Sequence, residues 1–140
     1  MQVAFYKGRK RLANRVIADM TGGPFSHVEA VLQHYPNGWA LCVSASMMDG
    51  GVRVKLINIA TKDWLLMTVD MGITAEDAWQ WFWQHSGAKY DYTGAMRYRV
   101  PFLKQSQKKK YCSEAVAEIF RLPKSNHPNG LYKDLLRYAV

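Results

Sequence analysis

A histidine early in the chain and a cysteine late in it are residue types that can carry nucleophilic chemistry. His27 stands in Phe25-Ser26-His27-Val28-Glu29, just before an apolar run with the character of a strand. Cys112 stands in Tyr111-Cys112-Ser113-Glu114, at the start of a stretch with helical spacing. A thiol at a helix N-terminus is well placed to be a thiolate, because the unpaired N–H groups and the macrodipole favour negative charge there. Beside an imidazole that is itself held by a third polar group, such a thiolate is arranged for nucleophilic acyl transfer. The base comes first in the chain and the nucleophile last.

The surroundings of each residue strengthen this reading. On a strand, His27 and Glu29 point to one face while Val28 and Ala30 point to the other. Two polar groups on one face of an otherwise apolar strand need a reason. Behind Cys112, Ala115, Val116, Ile119 and Phe120 anchor the helix, so the sulfur is expected at the open end of a well-held element. Cys42, inside Trp39-Ala40-Leu41-Cys42-Val43, reads as a small buried hydrophobe. The two cysteines lie in unlike contexts and suggest no disulfide framework. His34, His85 and His127 lack metal spacing with any cysteine or carboxylate and are expected to be structural or exposed. Asp91 falls in a turn-like loop, where its default role is to cap backbone N–H groups.

The elements that must position the pair can be read from periodicity and punctuation. Strands are expected over Gln2 to Lys7, His27 to His34, Trp39 to Met47, Val52 to Ile57 and Trp64 to Asp70. Thr21-Gly22-Gly23-Pro24 breaks the chain ahead of His27, Tyr35-Pro36-Asn37-Gly38 supplies a hairpin turn, and Asp49-Gly50-Gly51 supplies another. A short helix is expected over Arg11 to Met20. The clearest helix runs from Thr74 to His85, with Thr74 as N-cap and Glu76 and Asp77 in its first turn. Ala75, Ala78, Trp79 and Phe82 line one face of it. Trp79, Trp81 and Trp83 cannot all share that face, so some indole surface must be exposed or meet another element. Further helices are expected over Ser113 to Arg121 and Leu131 to Tyr138. The result is one α+β domain over residues 1–140, an antiparallel meander in its first half and helices in its second.

Composition bounds the partners. A chain of 140 residues with 49% apolar content is long enough for one real core. The formal charge of +8 attracts anionic partners such as cell-wall polymers or membrane head groups. Much of it is local, in Lys7, Arg9, Lys10, Arg11 and Arg15, and in Lys104, Lys108, Lys109 and Lys110. No zinc spacing, helix-turn-helix pattern or RNA-binding aromatic signature accompanies these cations, so nucleic acid is not the expected partner. Met1 to Tyr6 runs directly into basic residues and offers no secretory apolar region, and no segment has the length of a membrane span. A cytoplasmic product is expected, with carriage on a phage particle or release by lysis left open.

Taken in order, these motifs resemble a family. Thr21-Gly22-Gly23-Pro24-Phe25-Ser26-His27-Val28, a hairpin, Val43-Ser44-Ala45-Ser46 and Gly51-Val52-Arg53-Val54 are similar to the histidine-bearing half of NlpC-type cell-wall amidases. The cysteine element Tyr111-Cys112-Ser113-Glu114 comes last, after Gly87-Ala88-Lys89-Tyr90-Asp91-Tyr92. That is the order of circularly permuted papain-like enzymes, which include YiiX-like bacterial proteins and lecithin retinol acyltransferase-like enzymes. Asn126-His127-Pro128-Asn129-Gly130-Leu131-Tyr132 resembles the tail of the bacterial members.

The resemblance implies a papain-like fold, an antiparallel sheet or small barrel with helices packed on it. It also implies a cysteine peptidase or amidase acting on murein peptides without metal or organic cofactor. Cys112 becomes the nucleophile and His27 the base. By position the third group is Ser44, a weaker partner for imidazolium than a carboxylate, and Glu29 on the same strand is the alternative. The Cys112 backbone N–H is the first oxyanion donor, with Tyr6, Tyr90, Tyr92 and Tyr111 as candidates for a second. By its position directly upstream of Cys112, the stretch from Lys104 to Lys110 is a candidate for a lid. A lipid acyltransferase or thioesterase, and a non-catalytic binding module with a weakened site, are the alternatives.

Overall fold

A computed structural model describes residues 1–8, 23–46, 49–86, 89–90, 109–110, 112–123 and 127–140. Five antiparallel strands form its body: β1 (Gln2–Tyr6), β2 (His27–His34), β3 (Trp39–Ser46), β4 (Gly51–Asn58) and β5 (Trp64–Thr68). Two short strands, β6 (Lys89–Tyr90) and β7 (Lys109–Lys110), extend the sheet beyond β4. The order is β5-β1-β2-β3-β4-β6-β7, with β6 and β7 parallel, so among the described residues the sheet is open and not a closed barrel. The meander expected from the sequence holds through β4. β5 then returns to the free edge of β1, pairing Val3 with Met67 and Tyr6 with Trp64, while β6 occupies the outer edge of β4.

The turn between β2 and β3 explains its own sequence. Asn37 and Gly38 both have positive φ, 63° and 83°, the left-handed pair that a tight hairpin turn favours. A side chain at Gly38 would come within 2.3 Å of the Ala60 Cβ.

Strand alternation gives the sheet two buried faces. Val3, Phe5, Val28, Ala30, Val43 and Ala45 belong to the main core, together with the apolar residues of the helices. Ala4, Val31, Ala40, Cys42 and Ile59 form a smaller second cluster, with Ile57 and Trp64 packed against it. Glu29 pairs with Ala4 and so shares the face with small residues, where there is room for long polar side chains.

Three α-helices are found among the described residues. α1 (Ala75–His85) starts in the expected capping box, in which Thr74 accepts from the Asp77 N–H and the Asp77 carboxylate accepts from the Thr74 N–H. Its buried face is turned from the expected one: Ala78 and Trp81 are buried, Trp79 and Phe82 only partly so. The reason is polar as well as apolar, since Trp81 Nε1 donates to Glu118 Oε2 at 3.0 Å. Trp83 is left 69% exposed, with Trp79 stacked on it. α2 (Cys112–Ile119) is buried nearly all round. α3 (Pro128–Leu135) starts three residues earlier than expected, because Pro128 fits its first turn and His127 Nδ1 accepts from the Gly130 N–H. Leu131 and Leu135, both fully buried, anchor it by about 1.5–3 kcal/mol each.

The expected helix over Arg11 to Met20, the Met47 end of β3 and the Asp91 loop lie outside the described residues. No described helix is long and apolar enough to cross a membrane. Both cysteines are free thiols.

Candidate active site

The site is assembled at the starts of two elements. His27 is the first residue of β2 and pairs across the sheet with Tyr6. The Ser26 N–H donates to the Tyr6 carbonyl at 3.0 Å, which extends the pairing one step upstream. Behind it, α3 grips the approach to the histidine. Asn129 accepts from the Phe25 N–H and donates to the Phe25 carbonyl, both at 3.0 Å and both buried. Gly23 allows this close approach, because a Cβ there would lie 2.3 Å from Asn129 Oδ1. The backbone leading into His27 is thus fixed by a residue from the far end of the chain.

Cys112 is the first residue of α2, and its side chain is hydrogen-bonded to His27. On the other side of the ring, His27 Nε2 lies 2.6 Å from Glu29 Oε1. Glu29 is fully buried and does not stand alone. Arg53, from β4, donates through Nη1 to Glu29 Oε2 at 2.8 Å and through Nη2 to Oε1, and its Nε donates to Asp49 Oδ2 at 2.8 Å. Lys55 Nζ stands 3.4 Å from the other Asp49 oxygen. The chain Cys112, His27, Glu29, Arg53, Asp49 therefore alternates in charge character from the helix terminus to the β3–β4 turn.

Electrostatics follow from this order. Burial favours neutral imidazole at His27, but the Cys112 sulfur and then the Glu29 carboxylate outweigh it and lift the ring to about 9. Burial would raise Glu29, yet the Arg53 guanidinium and His27 hold its carboxyl below the usual range. Arg53 is pushed the other way, its charged form favoured by Glu29 and Asp49 against the cost of burial. Cys42 sits on the same face, and burial together with the Glu29 charge pushes its thiol up. It has the environment of an inert thiol, in contrast to Cys112 with its imidazole.

Several sequence expectations change here. Ser44, the positional choice for the third group, donates its hydroxyl to the Val28 carbonyl at 2.7 Å and does not hold the imidazole. Glu29 occupies that place. Same-face neighbours on a strand are about 6–7 Å apart, a gap that an imidazole and a glutamate side chain together span. Cys112 was expected to present its sulfur outward, but it is 3% exposed; the His27 side chain, 20% exposed, is the part of the pair that meets solvent. Of the tyrosines, Tyr6 packs on Trp64 with ring centroids 5.0 Å apart. Tyr90 contributes backbone to β6, and Tyr92 and Tyr111 lie outside the described residues. Lys109 and Lys110 of the expected lid form β7, and the part from Lys104 to Lys108 lies outside as well. His127 caps α3 and His85 bonds the Trp81 carbonyl, both structural uses.

Arg53 was missed as a site residue. Its signal is the alternation Val52-Arg53-Val54-Lys55, which puts two cations on the same face as Glu29, two strands away, with Arg53 in line with Glu29 through Ser44. Neither a scan against protein-family models nor a search of the curated proteins returns a match.

Proposed function

We propose that this chain is a cysteine hydrolase of an amide bond, with Cys112 as nucleophile and His27 as general base. The observation that carries the reading is an imidazole held between a helix-terminal thiol and a buried carboxylate. In this reaction the Cys112 S–H bond breaks and its proton passes to His27, while the sulfur attacks the carbonyl carbon. His27 returns the proton to the departing amine, leaving a thioester on Cys112. Water, deprotonated by His27, then releases the acid and restores the thiol. The Cys112 backbone N–H, at the start of α2, is the oxyanion donor in this reading. Glu29 fixes the ring orientation and stabilises imidazolium without itself taking the proton.

The permuted papain-like order of the motifs supports placing the chain among the NlpC-type, YiiX-like enzymes, with murein peptides as substrate and a bacterial or phage source. The charge of +8 suits approach to an anionic wall. A carboxylate behind the imidazole favours catalysis over the binding-module reading, which rested on Ser44 in that position. Trp64, 6.5 Å from His27, and Leu66, 40% exposed on the same face, give the base an apolar flank. That flank keeps lipid acyl transfer as the second reading.

Iodoacetamide near neutral pH should modify Cys112 much faster than Cys42, and His27→Ala should abolish the difference. Equal labelling of the two thiols would sink the nucleophile assignment. Purified murein peptides against short-chain lipid esters, each with Cys112→Ala as control, then separate the two substrate classes.

A further inference from the structure

Among the described groups around His27, the carboxylate raises a difficulty that its partner resolves. A buried glutamate beside an imidazole readily forms its own ion pair, with the ring protonated from solvent. An uncompensated carboxylate there also sets a second negative charge close to the Cys112 sulfur, where it opposes a thiolate. The groups around the ring are Cys112 from α2, Glu29 from β2 and Tyr6 across the sheet on β1. Glu29 in turn faces Arg53 from β4, and Cys42 from β3 lies near both. Asp49, with Lys55 on its second oxygen, stands behind Arg53.

We propose that Arg53 is a positioning residue that keeps the Glu29 charge from opposing the Cys112 thiolate, by neutralising Glu29 through both of its carboxylate oxygens. The inference rests on the nucleophile and base assigned above. Three features of the structure carry it. Arg53 meets Glu29 with two nitrogens, the fork geometry in which arginine binds a carboxylate most firmly. Its third nitrogen is fixed by Asp49, so the fork is aimed from the β3–β4 turn and has little freedom to swing away. The residue opposite Arg53 on the intervening strand is Ser44, small enough to let the guanidinium reach across β3 to β2.

The proton balance states the difference. With Arg53 in place the S–H bond of Cys112 breaks, the proton moves to His27, and a thiolate–imidazolium pair forms with no net uptake from solvent. Without Arg53, the same transfer sets the sulfur's negative charge against an uncompensated Glu29, and alkylation needs a higher pH.

The test is the rate of Cys112 alkylation by iodoacetamide as a function of pH. In Arg53→Met the profile should move up by about one pH unit, a roughly tenfold loss of rate at neutral pH. Arg53→Lys keeps the charge but not the fork and should move it in the same direction by less. The double variant Glu29→Gln with Arg53→Met removes both charges and should bring the profile back toward the wild-type position. A merely structural role would lower the rate equally at every pH, with no shift and no recovery in the double variant; that pattern would overturn the proposal. If Arg53→Met fails to fold by far-UV circular dichroism, the lysine variant and the double variant still decide it. An unmoved profile in the first or a displaced one in the second would refute it. Wild-type protein in which Cys112 is not labelled ahead of Cys42 would instead refute the underlying assignment.

Discussion

The Glu29 carboxylate meets His27 Nε2 at 2.6 Å although the two residues are separated by one position on a single strand. Their relative placement therefore needs no loop and no second element. Replacing Glu29 by Gln keeps the shape but removes the charge that stabilises imidazolium, and turnover should fall by about 10²–10⁴-fold. Ser44→Ala removes a hydroxyl that bonds only the Val28 carbonyl among the described residues. It should lower stability by about 0.5–1.5 kcal/mol and leave turnover within a few-fold. Steady-state kinetics on both variants decide which residue is the third group; a larger loss from Ser44→Ala would reverse the assignment.

Stability should depend on pH at both ends of the range, with opposite origins. The folded protein binds the His27 proton more tightly than the unfolded chain does, at about 9 against 6.5. Its contribution is fully present below 6.5 and disappears as pH rises through 9. Glu29 is held below its ordinary 4.5, so its contribution is present above that value and is lost as pH falls through the lower folded one. Thermal melting followed across pH should show both declines. His27→Ala should flatten the alkaline one, and an unchanged alkaline decline in that variant would remove His27 as its source.

Asn129→Ala should damage the site from a distance. It strips partners from the buried N–H and carbonyl of Phe25, at about 1–3 kcal/mol for each group left unsatisfied. The backbone entering β2 then loses its anchor. Urea denaturation should report the lost stability, and Cys112 labelling should slow at the same time. Loss of stability with full labelling speed would mean that the strand pairing of His27 with Tyr6 positions the ring unaided.

Thr74→Ala provides the opposite case. The capping box of α1 should be worth about 0.5–2 kcal/mol, and α1 contributes no residue to the Cys112–His27–Glu29 chain. Urea midpoints should drop while the labelling ratio of Cys112 to Cys42 stays at the wild-type value. A collapsed ratio would show that α1 supports the site after all.

What was legible in the sequence was local. The starts of β2, α1 and α2 were marked by a Gly-Pro break, an N-cap threonine and a polar first turn, all short-range signals. His27 and Cys112 were found because their types are rare and their neighbours unusual. What escaped was decided by partners far away in the chain. Glu29 and Arg53 are brought together only by the registers of three strands, including a slip between Val31 and Gln33. β5 chose β1 over β4 because both edges compete, a choice that no window of sequence contains. The turning of α1 toward Trp81 likewise depended on a glutamate on another helix.

The clamp between Asn129 and Phe25 spans 104 positions, which sets a timetable for the molecule. A chain emerging from the ribosome displays the histidine strand long before either the cysteine helix or the residue that pins the strand's entrance. Contacts of such separation close late, after the local hairpins have formed. Until α2 and α3 dock, the imidazole has a carboxylate neighbour but no thiol and no fixed approach. Assembly of the site thus waits for both α2 and α3, and a nascent chain that still lacks them carries the histidine strand without its partners.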